Sequence, residues 1–173
     1  MTGSHVLVAY ASRNGSTAEI AQTIADGIRA RGLVTDLLSV SRVSDVGPYD
    51  ALIAGSCVYM LRWHPDMVDL LHAHERALSA RDVWLFQSGP LDDLGETRDR
   101  PLPVPVQTIA DRIGIRGYVI FGGRMEASAA GMLENLFSLG GLGGDFREWP
   151  RIRAWADMVA DEILARRTAP VPA

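Results

Sequence analysis

The chain has 173 residues, a formal charge of −4, and 47% hydrophobic against 22% charged residues, a balance that suits one globular domain with a substantial core. All 17 basic residues are arginine, which excludes a lysine Schiff base and the Gly-Lys phosphate loop of nucleotide triphosphatases. No basic run exceeds Arg166–Arg167, so there is no electrostatic footprint for nucleic acid, and the single cysteine, Cys57, allows neither an internal disulfide nor a cysteine-based zinc site.

The sequence also contains no apolar run of about 20 residues and no basic leader followed by an apolar stretch, so the expectation is a cytoplasmic protein whose membrane association is at most peripheral. We expect a single domain over 1–167 and a frayed tail over 168–173.

In chain order, "HVLVAYA" (5–11) is a short apolar run ended by turn residues, as in a strand buried on both faces. A helix of about 17 residues follows, with Ile20, Ile24 and Ile28 on one stripe with Ala21 and Ala25, and Gly32 ends it. "LVTDLLSV" is a second strand and "YDALIAGS" a third. The next helix runs from about Pro65 to Ser79, with Met67, Leu70, Leu71, His74 and Leu78 on one face. "DVWLFQSG" is the fourth strand, and a proline-rich loop from Pro90 to Pro105 follows it. Val106, Ile109 and Ile113 mark a short helix, "RGYVIFGG" a fifth strand. The last helix starts near Pro150 and turns Ile152, Trp155, Val159 and Ile163 inward.

Strands alternating with helices predict an α/β fold, a doubly wound parallel sheet of order 2-1-3-4-5 with helices on both faces. Ligands of such sheets sit beyond the carboxyl ends of the strands, where strands 1 and 3 diverge. That directs attention to the loops Ser12–Thr17, Gly55–His64 and Ser88–Asp93.

The first loop, "SRNGST", has two readings. Ser16 and Glu19 match a capping box, and Gly15 permits a tight turn, which would explain a well-started helix without any ligand. Alternatively Ser12, Asn14, Ser16 and Thr17 converge with free backbone N–H groups at a helix N-terminus, a phosphate cradle that needs no lysine. A dinucleotide site is disfavoured because the turn lacks G-x-G-x-x-G.

"SRNGST" resembles the [ST]-x-[TN]-G-x-[ST] phosphate loop of flavodoxin-like FMN proteins, and the likeness extends through "YDALIAGS", "FQSGPLD" and "GDFREWPRIRAWADMVADEI". Within that family the chain is most similar to the branch that contains menaquinone-dependent protoporphyrinogen oxidase. The resemblance implies that Ser12, Arg13, Asn14, Gly15, Ser16 and Thr17 surround the phosphate of FMN. It further implies that Ser56, Cys57, Val58, Tyr59, Met60 and Leu61 form one wall around the isoalloxazine, and Ser88, Gly89, Pro90 and Leu91 the other. Tyr59 is the first candidate to stack on the ring and Trp63 the second.

Other features have plainer accounts. Arg62 follows Cys57 after four residues, one too few for the Cys-x5-Arg phosphatase signature, so Cys57 is a wall residue or a buried thiol. His72 and His74 are two apart and cannot share a helix face as metal ligands, so no metal is expected; His64 adjoins the flavin wall and is a candidate to face substrate. Asp92, Asp93, Glu96 and Asp99 form a solvated loop or a docking patch for a redox partner. Met125, Met132, Leu133, Leu136 and Phe137 share a helical stripe within Arg124–Gly144, suited to covering the sheet, a homodimer seam, a lid or a quinone wall.

The functional expectation is an FMN oxidoreductase passing electrons from a reduced organic substrate to a quinone-type acceptor, with no essential acid or base from the chain. The alternative is a flavodoxin-type carrier cycling between protein redox partners.

Overall fold

The computed structural model describes residues 4–89, 101–125 and 144–168. At its centre lies β1 (His5–Ala11), whose Val6, Leu7, Val8 and Ala9 are all fully buried because both faces of the strand are covered. Gly15, in the left-handed region at φ 81°, turns the chain into α1 (Ser16–Ala30), which returns it to β2 (Val34–Ser39), parallel to β1 with Leu37 opposite Val8. The helix is a little shorter than the sequence suggests, but Gly32, left-handed at φ 84° just after the Arg31 C-cap, ends it as expected.

A single 3-10 turn (Val40–Arg42) leads towards β3 (Ala51–Tyr59), which pairs in parallel with the other edge of β1, Ile53 opposite Val8. β3 runs three residues past the expected end and folds back through Met60 and Leu61 into β4 (Arg62–Trp63). What the sequence presents as a loop is therefore mostly a hairpin. Next come α2 (Pro65–Ala73) and α3 (Glu75–Leu78) in place of one helix, because His74 departs from helical geometry at φ −106° and ψ 12°. Its N–H still reaches the Leu70 carbonyl and its own carbonyl accepts from Leu78, so the helix bends there rather than ending.

β5 (Asp82–Gly89) has the expected boundaries and lies parallel to β3; α4 (Val104–Ile113) then leads to β6 (Gly117–Gly122), parallel to β5. The sheet order is β2-β1-β3-β5-β6, the predicted order with later numbers shifted by the short β4. Two further short strands, β7 (Arg124–Met125) and β8 (Gly144–Asp145), pair antiparallel and have no counterpart in the sequence reading. The chain ends its described part in α5 (Trp149–Thr168). Of the expected helical stripe, Met125 lies in the strand β7 instead, while Met132–Phe137, the acidic cluster Asp92–Asp99 and the tail beyond Thr168 lie outside the described residues.

Alternation along the strands divides the core in two. Val6, Val8, Ile53, Trp84 and Phe86 face α1 and α5, where they meet Ile20, Ile24, Ile28, Ile152, Val159 and Ile163. Leu7, Ala9, Leu52, Ala54, Val83 and Leu85 face α2, α3 and α4. Each fully buried aliphatic side chain contributes about 1.5–3 kcal/mol. The helices of the first layer approach closely, since a Cβ on Gly27 would lie 2.9 Å from that of Ala156.

Gly55 is tighter still, because a Cβ there would fall 1.9 Å from the Phe86 ring, itself packed against Phe121 and Trp155. Gly55→Ala is expected to destabilise the protein by about 1–3 kcal/mol through overpacking. Gly117→Ala, whose Cβ meets Trp84 at an ordinary 3.8 Å, serves as the control in urea denaturation and should stay within about 0.5 kcal/mol of wild type.

Candidate functional site

The ends of β1, β3 and β5 converge because their registers are locked: Ala11 lies opposite Ser56, and Cys57 opposite Ser88. Beyond them the chain leaves β1 into 12–15, β3 into its hairpin, and β5 at Gly89. Of the predicted site residues, Ser12–Thr17, Ser56–Leu61, Ser88 and Gly89 come together at this edge. Pro90 and Leu91 lie outside the described residues.

At the first loop, Gly15 is the N-cap of α1, and its carbonyl accepts the Glu19 N–H at 3.1 Å. A left-handed φ at this position suits only glycine without strain. The predicted capping box does not form: no side chain caps this helix. Ser16 is already inside the first turn, and its hydroxyl accepts the Arg124 backbone N–H at 2.9 Å instead. Glu19 also turns away, pairing with Arg124 at 3.4 Å and Arg147 at 2.5 Å. A hydroxyl that accepts one bond keeps its own proton to donate, so Ser16 remains a donor towards the loop.

Thr17 and Ser88, both buried, share a 2.7 Å hydrogen bond between hydroxyls that ties the first loop to the end of β5. Ser12 differs from them. Its Oγ is buried without a hydrogen-bond partner among the described residues, an uncommon arrangement in a folded protein because such a group forfeits its water without replacement. Asn14, two residues on, is exposed. Ser12, Asn14, Ser16 and the first-turn N–H groups of α1 thus form a set of donors around a left-handed glycine at a helix N-terminus, suited to holding an anion.

On the β3 side, the fully buried Ser56 is committed to the hairpin, donating to the Cys57 carbonyl and accepting the His64 N–H, each at 2.9 Å. Cys57 is half-buried; burial pushes its thiol pKa up, and the backbone N–H and charge of Arg13 offset only part of that. Its thiol is thus held away from the reactive thiolate form. Tyr59 is 47% exposed at the mouth of the site, with the Arg13 guanidinium 4.4 Å above its ring. Met60 and Leu61 follow, 61% and 76% exposed, with φ of 49° and 62°. A two-residue turn of this kind ordinarily takes Asn-Gly, and each larger residue costs about 1–2 kcal/mol there.

Trp63, the second stacking candidate, is a core residue, 4% exposed, whose indole N–H donates to Gln87 at 3.0 Å. It therefore supports the hairpin from beneath. His64 caps α2, its Nδ1 accepting the Asp66 N–H at 3.4 Å.

The far rim was not foreseen from the sequence. Arg147, with a side chain only 4% exposed, grips both oxygens of Asp145 at 2.6–2.7 Å as well as Glu19, and lies 4.6 Å over the Trp149 ring. These contacts fasten β8 to the first turn of α1. The sequence signal was the spacing of Asp145 and Arg147 in "GDFREW", which becomes meaningful only once Glu19 is seen beside it. Hydrogen bonds from Arg147 hold the Asp145 carboxyl below the usual carboxylate range, and the two carboxylates raise the pKa of Arg147 further.

A depressed carboxyl pKa means that the unfolded chain binds the proton first, so the pair's stabilisation is present above about pH 4 and fades as pH falls through the native value. Asp145→Asn should therefore lower the denaturation midpoint at pH 7, and the gap to wild type should close between about pH 4 and pH 2. Urea titrations across that range measure it.

Residues 7–116, from within β1 to the turn before β6, match the family described as the flavodoxin domain. No curated protein matches the chain in sequence. Among solved structures, rubredoxin:oxygen oxidoreductase from Desulfovibrio gigas superposes with a TM-score of 0.66 at 14% identity, over 95% of this chain and 37% of that one. The chain thus spans little more than a third of that protein. A flavodoxin from the domain Archaea aligns over 92% of this chain and 99% of its own, with a TM-score of 0.61 and 12% identity. A mutant Fusobacterium nucleatum flavodoxin bound to flavin mononucleotide aligns over 68% of both chains, with a TM-score of 0.51 and 17% identity. The structural likenesses concern the fold; the sequence match covers more than half of the chain, which therefore belongs to the flavodoxin-domain family.

Proposed function

We propose that the protein binds FMN at the carboxyl edge of the sheet and works in electron transfer. The observation that carries this reading is the buried Ser12 Oγ, without a hydrogen-bond partner among the described residues, near the left-handed Gly15 at the start of α1. A polar atom in that position, at a helix N-terminus and at the divergence of β1's two crossovers, fits the phosphate of a mononucleotide. The flavodoxin-domain match and the flavin mononucleotide held by the Fusobacterium relative support FMN in particular.

In this reading Ser12, Asn14, Ser16 and the N–H groups of the first turn hold the phosphate, with neither lysine nor a side-chain carboxylate among them. Tyr59 offers its ring as one wall of the flavin site, and Ser88 and Gly89, fastened to Thr17, begin the other. When bound, the flavin supplies one- and two-electron chemistry. The chain's own part is to orient the ring, exclude water from its inner edge and leave the outer edge accessible past Tyr59, Met60 and Leu61.

The exposed apolar rim formed by those three residues supports a finer reading, in which the electrons come from a reduced organic substrate and pass to a quinone, as the resemblance to the protoporphyrinogen oxidase branch implies. Anaerobic photoreduction followed by mixing with a menaquinone analogue tests it. Fast two-electron reoxidation supports the enzyme, and slow reoxidation supports a carrier that serves protein partners.

The binding site is tested directly by titrating FMN fluorescence. Ser12→Ala should leave folding stability within about 0.5 kcal/mol, since the hydroxyl has no partner among the described residues to lose, yet weaken FMN by about 1–1.5 kcal/mol, roughly tenfold. Asn14→Asp, which sets an anion beside the phosphate, should cost about 1–3 kcal/mol of affinity. A wild-type protein that takes up no FMN would refute the proposal outright.

A further inference from the structure

Arg13 is the one arginine in the phosphate loop, and its side chain does not stay there. The guanidinium lies across the gap on the ring of Tyr59, 4.4 Å from the centroid, and its charge also reaches the Cys57 thiol on the same strand. Among the described residues no carboxylate pairs with it. The other cations of the rim are differently placed: Arg124 and Arg147 are neutralised by Glu19 and Asp145. Arg62 sits opposite Tyr59 in the hairpin, exposed and likewise without a carboxylate partner among the described residues. The donor set around Ser12 is thus formally uncharged, while positive charge without a carboxylate partner among the described residues collects at the Tyr59 wall.

We propose that Arg13 is a tuning residue for the ring of the flavin rather than a ligand of its phosphate, favouring the reduced, anionic form of the cofactor. This rests on the FMN site proposed above. An oxidised flavin that takes up two electrons and one proton carries one negative charge on the ring system; a second proton makes it neutral. A fixed cation at the ring wall favours the first product over both the oxidised and the neutral forms, by an amount set by distance and local dielectric. The contact with the Tyr59 ring limits the freedom that a surface arginine otherwise keeps.

The two placements of the charge separate in one experiment. Affinities of wild type, Arg13→Gln and Arg13→Lys are measured anaerobically for FMN and for lumiflavin, which has no phosphate, each in its oxidised and dithionite-reduced states. Arg13→Gln should weaken the reduced form of both flavins about tenfold relative to the oxidised form. For bound FMN that ratio corresponds to a two-electron midpoint about 30 mV lower. Arg13→Lys, which keeps the charge, should recover most of the difference, and raising the salt should shrink it. A loss confined to FMN and equal in both redox states would assign the charge to the phosphate and overturn the proposal, as would an unchanged ratio. Failure of wild type to bind either flavin would instead refute the site itself, and the tuning role with it.

Discussion

The pairing of β1 on both of its edges is the constraint from which the rest follows. With β2 on one side and β3 on the other, the chain leaves the sheet towards α1 after β1 and towards α2 after β3, on opposite faces. The two connections therefore separate above the carboxyl end of β1, the place where sheets of this kind hold their ligands. Gly15 then turns the chain so that the first N–H groups of α1 look into that gap. The Thr17–Ser88 hydrogen bond sets the gap's width by joining α1 to β5 across β3.

A second layer of control comes from charge. Glu19 stands in the first turn of α1, where a carboxylate would favour the helix dipole but repel an anion bound at the same terminus. Its two oxygens are taken by Arg124 and Arg147, which draws its charge to the rim and connects the helix start to β7 and β8. Because Arg147 is buried, removing either of its carboxylates leaves a cation without full compensation, a costlier change than loss of an exposed pair. The link thus holds β7 and β8 to the start of α1, while Arg13 carries its charge the other way, to Tyr59.

The hairpin after β3 shows where stability has been set aside. Met60 and Leu61 occupy left-handed backbone and are exposed, so they are unfavourable both for conformation and for solvation. Asn-Gly at these positions would relieve the strain. The turn is nonetheless anchored firmly, by Ser56 at its base and Trp63 beneath it. A rigid base under a strained apolar tip is the arrangement expected where the tip meets another molecule.

Much of this was legible in the chain. Near-continuous apolar runs such as "HVLVAYA" and "DVWLFQSG" signal strands buried on both faces because no polar residue interrupts them, and the i, i+4 isoleucines of α1 mark its buried stripe; these are local patterns with local causes. The βαβ rhythm then fixed the sheet order and hence the edge where the loops meet. Local pattern failed where a side chain had a choice of partners. Ser16 and Glu19 have the spacing of a capping box, but Arg124 and Arg147, more than a hundred residues away in sequence, offer charged and backbone donors that win both groups. Trp63 has the aromatic face of a stacking residue, yet the hairpin turns it into the core. The sequence by itself determined the five strands of the parallel sheet, α1, α4, α5 and the glycine turn, because these depend on near neighbours and on burial. Which hydroxyl is left without a partner among the described residues and which cation lies over Tyr59 was decided only in the folded structure, because those outcomes depend on competition among groups that the fold alone brings together.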